Sequence, residues 1–535
     1  MDLEHLAWAG RNQPVFAQNG MVATSQPLAA QAGLAILRLG GNAVDAAIAT
    51  AAVLTVVEPC STSIGGDAFA IVWDGEQLHG LNGSGRAPTG LTIDEVRARG
   101  YDDIPNYGWL PVTIPGVPAT WRDLHKRLGK LPFAQVLAPA IAYAEEGYPV
   151  SPVTSRGWCR QVEQHQASQK GPEFAHFLDL YAPGGNMPGV GDIWRSAVKA
   201  NTLRRIAETY ADAFYTGDLA EKIVDFAQST GGYITAGDLA SHTSTWVEPI
   251  STNYRGYDVW EIPPNGQGIA TLVALNILEG FDLASLERNS SESFHLQIEA
   301  MKLAFIDAHR YVGDPEKVEV PVNGMLSKTY ASERRALIGE MALDPEPGTP
   351  PHGDTVYLCA ADSDGMMVSF IQSAYMGFGS QVVAPGLGFS FQNRGRGFTL
   401  DPEHPNALAP GKRPFHTIIP GFLTKDGEPI GPFGVMGGFM QPQGHLQMIV
   451  NTIDYQMDPQ TSIDQPRWQW DTGRGVMLES TVDPAILEAL RQRGHEVVSK
   501  DDLTAFGRGQ IIWRLPSGTM IGGSESRADG QVAGY

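Results

Sequence analysis

Cysteine is scarce in this chain of 535 residues. The three present, Cys60, Cys159 and Cys359, are odd in number and far apart, which excludes a disulfide framework and a Cys-x-x-Cys metal site. Long apolar runs are missing as well. The longest, Ala46–Val57, is far short of the roughly 20 residues a membrane span needs. The start, Met1-Asp-Leu-Glu-His-Leu-Ala-Trp8, has no basic leader and no apolar stretch. No secretory signal is therefore expected, and the cytoplasm is the expected compartment. Basic charge is short: 38 Lys and Arg stand against 59 Asp and Glu, a formal net charge of −21. That balance opposes nucleic acid and anionic membranes, whose phosphates need cations. There is no Walker loop and no His-Glu-x-x-His helix, and the nearest thing to a nucleophile elbow, Ser61-Thr-Ser-Ile-Gly65, lacks its first Gly. Neither a metal nor a cofactor is expected.

What is present reads as a large mixed α and β protein. Apolar residues recur at helical spacing over 27–39, and Gly40-Gly41 stops that helix. Asn42 can cap the next, Ala43–Val57, which is apolar nearly all round and so reads as buried. Further helices are expected over 118–128, 133–146, 185–211, 219–229, 269–278 and 291–310. A hairpin is expected over 68–82 about Asp74-Gly75, and paired strands over 246–260. Arg86 leaves the first hairpin in a Gly-rich exit, where it can hold an anion or pair with an acid.

A second hairpin carries the chemistry. A Pro-rich spacer, 344–353, leads into Thr355–Ala361, a turn at Asp362–Gly365, and Met366–Ser373. Thr355 thus sits where an irregular leader enters a strand. By local pattern it is a β-branched strand residue. If the chain is cut before it, the freed α-amine becomes a base for its own hydroxyl. Two later features bear on that choice. Residues 391–398, Phe-Gln-Asn-Arg-Gly-Arg-Gly-Phe, place Asn393, Arg394 and Arg396 in a Gly-rich turn. Gly437-Gly438 can aim two backbone N–H groups at one small volume, as an oxyanion requires.

The ordered set of motifs resembles the γ-glutamyltransferases (γ-glutamyl transpeptidases). It includes Gly40 to Ala47, Glu58-Pro59 through Gly65-Gly66-Asp67, Phe214 to Gly217, Tyr254 to Tyr257, Glu299 to Ala304, Gly313-Asp314-Pro315 and Arg527 to Gly530, and it spans residue 20 or so to the end. The resemblance implies an N-terminal-nucleophile hydrolase: a four-layer αββα sandwich with a helical periphery, whose precursor cuts itself before a Thr. It implies a large chain, 1–354, and a small chain, 355–535, packed as one globular unit, with a homodimer or heterotetramer left open. Thr355 falls on the nucleophile, Ser373 on the second hydroxyl, and Gly437 and Gly438 on the oxyanion glycines. The implied partner is a small-molecule amide, turned over as a γ-glutamyl or related acyl-enzyme.

The pocket departs from the family pattern. The carboxylate-clamping Arg is displaced to Arg86. The acids that receive an α-ammonium are replaced by the run Asn393-Arg394-Gly395-Arg396, the paired serines by His416-Thr417, and an Asn by Tyr375. Without those acids a buried ammonium lacks a partner, whereas a carboxylate is well received by arginine. The alternative acyl groups are non-amino dicarboxylic mono-amides of glutaryl or oxamate type. Residues 352–355 with 369–373 resemble the oxamate amidohydrolase and acylase-like branch. A non-catalytic binding or scaffold role is the second alternative.

Overall fold

Alternation along the strand Asp354–Asp362 sets the layering. Tyr357, Cys359 and Ala361 enter one apolar cluster, while Val356, Leu358 and Ala360 enter another. Its antiparallel partner, Met367–Tyr375, divides the same way, with Met367 and Ile371 on the first side and Val368 and Phe370 on the second. Both strands are covered on both faces, which is why they read as near-continuous apolar runs. The computed structural model describes residues 13–345 and 354–535, so the Met1–Trp8 start and residues 346–353 of the spacer lie outside the described residues.

Two seven-stranded sheets stack face to face. The first runs Gln531–Gly534, Gly20–Thr24, Asp354–Asp362, Met367–Tyr375, Asp67–Trp73, Leu78–Asn82, Thr245–Val247. The second runs Val15–Ala17, Met520–Ser524, Arg508–Arg514, Glu428–Met436, Gly421–Lys425, Tyr257–Glu261, Ile250–Tyr254. Each sheet therefore interleaves strands from both sides of residue 355. Phe69, Tyr357, Ile371, Phe422 and Ile512 pack between the sheets. Pro27–Arg38 and Ala43–Val57 cover the outer face of the first sheet, and Gly268–Leu278 and Met440–Ile453 that of the second. This is the expected αββα order. Ala43–Val57 is buried at every position, and Asn42 and Asp45 close a capping box at its start. Among the described residues no helix is long and apolar enough to cross a membrane.

One expectation changes, and one helix was not foreseen. The helix expected over 185–211 is confined to Ala197–Thr209, because Ile193–Trp194 pairs instead with Tyr148–Pro149. The region past Ser373 also contains a helix, Met440–Ile453, hidden by its internal Pro442 and Gly444. Gly444 is needed there: a Cβ would stand 2.7 Å from the Val435 side chain of the sheet beneath. Backbone proximity of helix to sheet, which no local pattern reports, outweighs the low helix propensity of glycine.

Candidate active site

Thr355 and Ser373 share the parity of Tyr357 and Ile371, so both face the space between the sheets. The ladder slips at this point: Asp354 pairs with Tyr375, while Val356 pairs with Gln372. Such a bulge bends the strand and re-aims its side chains. The Thr355 hydroxyl donates to Ser373 Oγ at 3.2 Å, and Ser373 Oγ also accepts from the Tyr375 N–H at 2.7 Å. Both side chains are buried, Thr355 being 1% exposed. The chain then turns through Tyr375, Phe378 and Gln381, each with φ between 53° and 81°. Non-glycine residues seldom adopt that region, and such strain concentrates at functional sites.

Arg394 closes the constellation. One Nη donates to Thr417 Oγ1 at 2.6 Å and the other to Ser373 Oγ at 3.3 Å. Its guanidinium lies 4.0 Å from the Tyr375 ring centroid, as a cation over an aromatic face. The side chain is fully buried, its Nε has no partner, and among the described residues no carboxylate lies within ion-pairing distance. Burial pulls its pKa down to about 10, against the supporting fields of Tyr375 and Asp67.

Behind it, Asp67 stands opposite Ser373 in the sheet and accepts from the Gly85 N–H, Gln392 and His416. Burial pushes the Asp67 carboxyl up to about 7, opposed first by the Gln392 hydrogen bond and then by Arg394. Burial, Arg394 and Arg413 hold His416 well below the usual imidazole range. A neutral His416 that accepts the Ile418 N–H at Nδ1 donates to Asp67 from Nε2.

The double glycine is placed by close approaches between the sheets. A Cβ on Gly431 would meet Met367, and one on Gly434 would meet Tyr357. Gly437-Gly438 follow directly on that strand, Glu428–Met436, three residues beyond Gly434 and its approach to Tyr357. Gly437 has φ 131° and Gly438 has φ 60°, both suited to glycine. Among the described residues neither N–H meets an acceptor, and the helix Met440–Ile453 begins directly behind without a side-chain cap. The helix adds its positive end to the two open N–H groups. Gln267, which the sequence reading passed over, ties the glycines down: its Nε2 donates to Gly438 O at 2.9 Å and to Thr417 O at 2.6 Å. We expect Gly437→Ala to lower kcat by about a hundredfold to a thousandfold, the usual loss for an oxyanion donor. A variant with near-normal kcat would remove these glycines from the reaction.

The other anticipated pocket residues divide. Tyr375, Arg396 and Thr417 line a cleft of about 720 Å³ together with Phe415, Phe439 and His309. Asn393 does not line it. Its side chain accepts from the Met376 N–H and donates to Asn106 O, so it supports the turn. His416 lies behind on Asp67. Arg86 is the clear correction: it is paired with Glu316, at 2.6 and 2.7 Å, and Glu316 also takes Arg413. The anion it holds is the chain's own, 230 residues away. The acids missing from 393–397 are also supplied from elsewhere, since Asp102, Asp103 and Asp401 line the cleft. Asp103 pairs with Arg396 at 2.9 Å.

The arrangement nearest to a metal-ligand set among the described residues is His295, Glu299 and His495, far along the helix layer. It is closed on itself. Lys302 Nζ stands 2.8 Å from Glu299, and the two imidazoles are hydrogen-bonded to each other, so an ammonium already provides the positive charge.

Comparison with known proteins agrees with this architecture. A family model described as gamma-glutamyltranspeptidase matches residues 29–535. A glutathione hydrolase-like proenzyme of Bacillus subtilis is 38% identical over 533 residues, which is 98% of this chain and 100% of the relative. An oxamate amidohydrolase proenzyme of Klebsiella pneumoniae is 34% identical, covering 97% of this chain and 98% of its own. The crystal structure of a cephalosporin acylase from Bacillus halodurans superposes with a TM-score of 0.95 at 56% identity, over 100% of this chain and 99% of that one. Fold and relatives define an amidohydrolase of the N-terminal-nucleophile class. Within that class the chain belongs to the gamma-glutamyltranspeptidase family.

Proposed function

We propose that this protein is a self-processing amide hydrolase in which Thr355 is the nucleophile and the acyl group ends in a carboxylate. Cutting the Asp354–Thr355 bond frees an α-amine whose ordinary pKa, roughly 7.7–8.0, suits a base near neutral pH. The amine takes the Thr355 proton and Oγ1 adds to the amide carbonyl. The N–H groups of Gly437 and Gly438 hold the oxyanion, and the leaving amine departs with the proton. Water, or an acceptor amine, then releases the acyl group from the ester. Ser373 holds the attacking hydroxyl in place.

The observation that carries the acyl assignment is Arg394, a buried cation one hydroxyl away from Thr355, with no carboxylate within ion-pairing distance among the described residues. A buried charge held only by hydroxyls, an aromatic face and the more distant Asp67 is costly, and a substrate carboxylate lowers the cost. γ-Glutamyl, glutaryl and oxamate-type amides all supply one. The relatives named for glutathione hydrolysis and oxamate hydrolysis support the same range.

A panel on the processed protein tests this. Amides with a carboxylate-ended acyl group should exceed a neutral acyl amide of equal length by about a hundredfold in kcat/KM, the worth of a charge-assisted contact. Equal rates would defeat the assignment. Within the panel, preference for γ-glutamyl over glutaryl gives the ammonium to Asp102 or Asp401, and the reverse preference marks an amine-free pocket. A denaturing gel separates catalysis from a scaffold role: two bands are expected, the smaller beginning at Thr355.

A further inference from the structure

An amide has two halves, and two clefts open at this site. The divide between them runs through the catalytic turn. Tyr375 lines the first cleft and Met376 the second, while Phe439 lines the first and Gly437 the second. A carbonyl held at the double glycine therefore directs one half of its substrate into each. The first cleft adjoins Arg394 through Tyr375 and Thr417 and suits the acyl half. The second, of about 500 Å³, belongs to nothing described so far.

Its lining is cationic in an acidic protein. Arg156 and Arg160 stand one turn apart on the helix Pro152–Ser168, so both guanidiniums share a face. Lys500 faces the same volume, and Asp502 is the one acid among the lining residues. Hydrogen bonds from Thr504, and then the fields of Arg160 and Arg156, hold the Asp502 carboxyl below its usual range, and none of Arg156, Arg160 and Lys500 has an ion-pair partner among the described residues. Deeper in, Arg508 lies 3.3 Å from buried Glu58, and its buried Nε has no partner. The floor is Gly437 with Met376, Met436 and Met477, an apolar and adaptable surface. Clustered positive charge on a chain of net charge −21 focuses anions into this cleft.

Building on the proposed amide hydrolysis, we propose that the second cleft receives the amine half of the substrate, and that this half carries a carboxylate on an apolar body.

The test compares two glutaryl anilides that share the acyl group, glutaryl-4-nitroanilide and its 3-carboxy derivative. Processed enzyme should favour the carboxylated anilide by about tenfold in kcat/KM, expressed mainly in KM, as one charge-assisted contact would give. The Arg156→Ala/Arg160→Ala double variant should bring that ratio to about one, and Arg156→Glu below it. Both sites are exposed helix positions, where alanine is readily accommodated. Added salt should lower the ratio in the unsubstituted protein. A ratio of one or less in that protein, or a ratio the double variant does not change, overturns the proposal. Equilibrium binding of the free amines reads the cleft without turnover. 3-Carboxy-4-nitroaniline should bind about tenfold tighter than 4-nitroaniline and lose that advantage in the double variant. Equal binding overturns the cleft assignment, whereas a protein that binds the carboxylated amine but cuts neither anilide overturns the hydrolase reading alone.

Discussion

Thr355→Ala is expected to remain one chain of full length on a denaturing gel and to lose amide hydrolysis by about ten-thousandfold or more, the scale of removing a nucleophile. On the proposed mechanism the substitution deletes the hydroxyl that attacks both the chain's own peptide bond and the substrate. It does little else. The position is buried in a strand with neighbours on both sides, and the lost contact is one 3.2 Å hydrogen bond to Ser373. Unfolding should therefore occur near the temperature of the uncut parent. Thr355→Ser keeps a hydroxyl and should cut itself slowly and retain part of the activity. A Thr355→Ala chain that still splits ahead of residue 355, or that still turns over amides, would end the assignment of this residue.

The second large effect is expected at Arg394, where activity and stability should part company. Arg394→Met removes a buried cation and keeps a stem of similar reach against Tyr375. Removing a buried charge also removes its desolvation cost, which offsets part of the lost contacts. Two hydroxyls, on Ser373 and Thr417, lose a donor, and each such loss costs about 1 kcal/mol. The melting temperature should thus move little. Activity on a carboxylate-ended acyl amide should fall by about a hundredfold to a thousandfold, or about 3–4 kcal/mol, because the substrate anion loses its partner. Thermal unfolding and kcat/KM measured on one preparation decide the matter. If Arg394 is only a strut, stability and activity will drop together, and neutral acyl amides will suffer as much as charged ones.

Much of the scaffold around these two residues was legible in the sequence, for physical reasons that can be named. Ala43–Val57 is apolar nearly all round and lies buried all round. The hairpin about Asp362–Gly365 announces itself by a turn dipeptide between two β-rich runs, and the parity of 355, 357, 371 and 373 follows from the period of a strand. The pocket was less legible because it is assembled across distance. Arg86 sits in a Gly-rich exit whichever anion it meets, and nothing near it in the chain names Glu316. Asp102, Asp103 and Asp401 come to the cleft from two separate loops. Gln267 stands just ahead of a helix whose apolar pattern is all that the local sequence shows, and it spends its amide on the carbonyls of Thr417 and Gly438. Local pattern reports on the faces of an element, and the identity of what packs against a face is fixed only by the fold.

The interleaving of the two sheets has a kinetic consequence. A cut ahead of Thr355 would leave the new terminus on a strand flanked by Gly20–Thr24 from one fragment and Met367–Tyr375 from the other. Before the cut, folding is a unimolecular event, and all fourteen strands are delivered by one chain. Afterwards, any excursion to the unfolded state releases two molecules that must meet again to rebuild either sheet. Recovery then depends on concentration, and the mature protein persists by the slowness of its unfolding rather than by a reversible balance. Cut protein heated and cooled at low concentration should recover far less activity than the uncut Thr355→Ala chain recovers of its native circular dichroism. On the proposed processing the fold is completed before the nucleophile is released, and it is formed once.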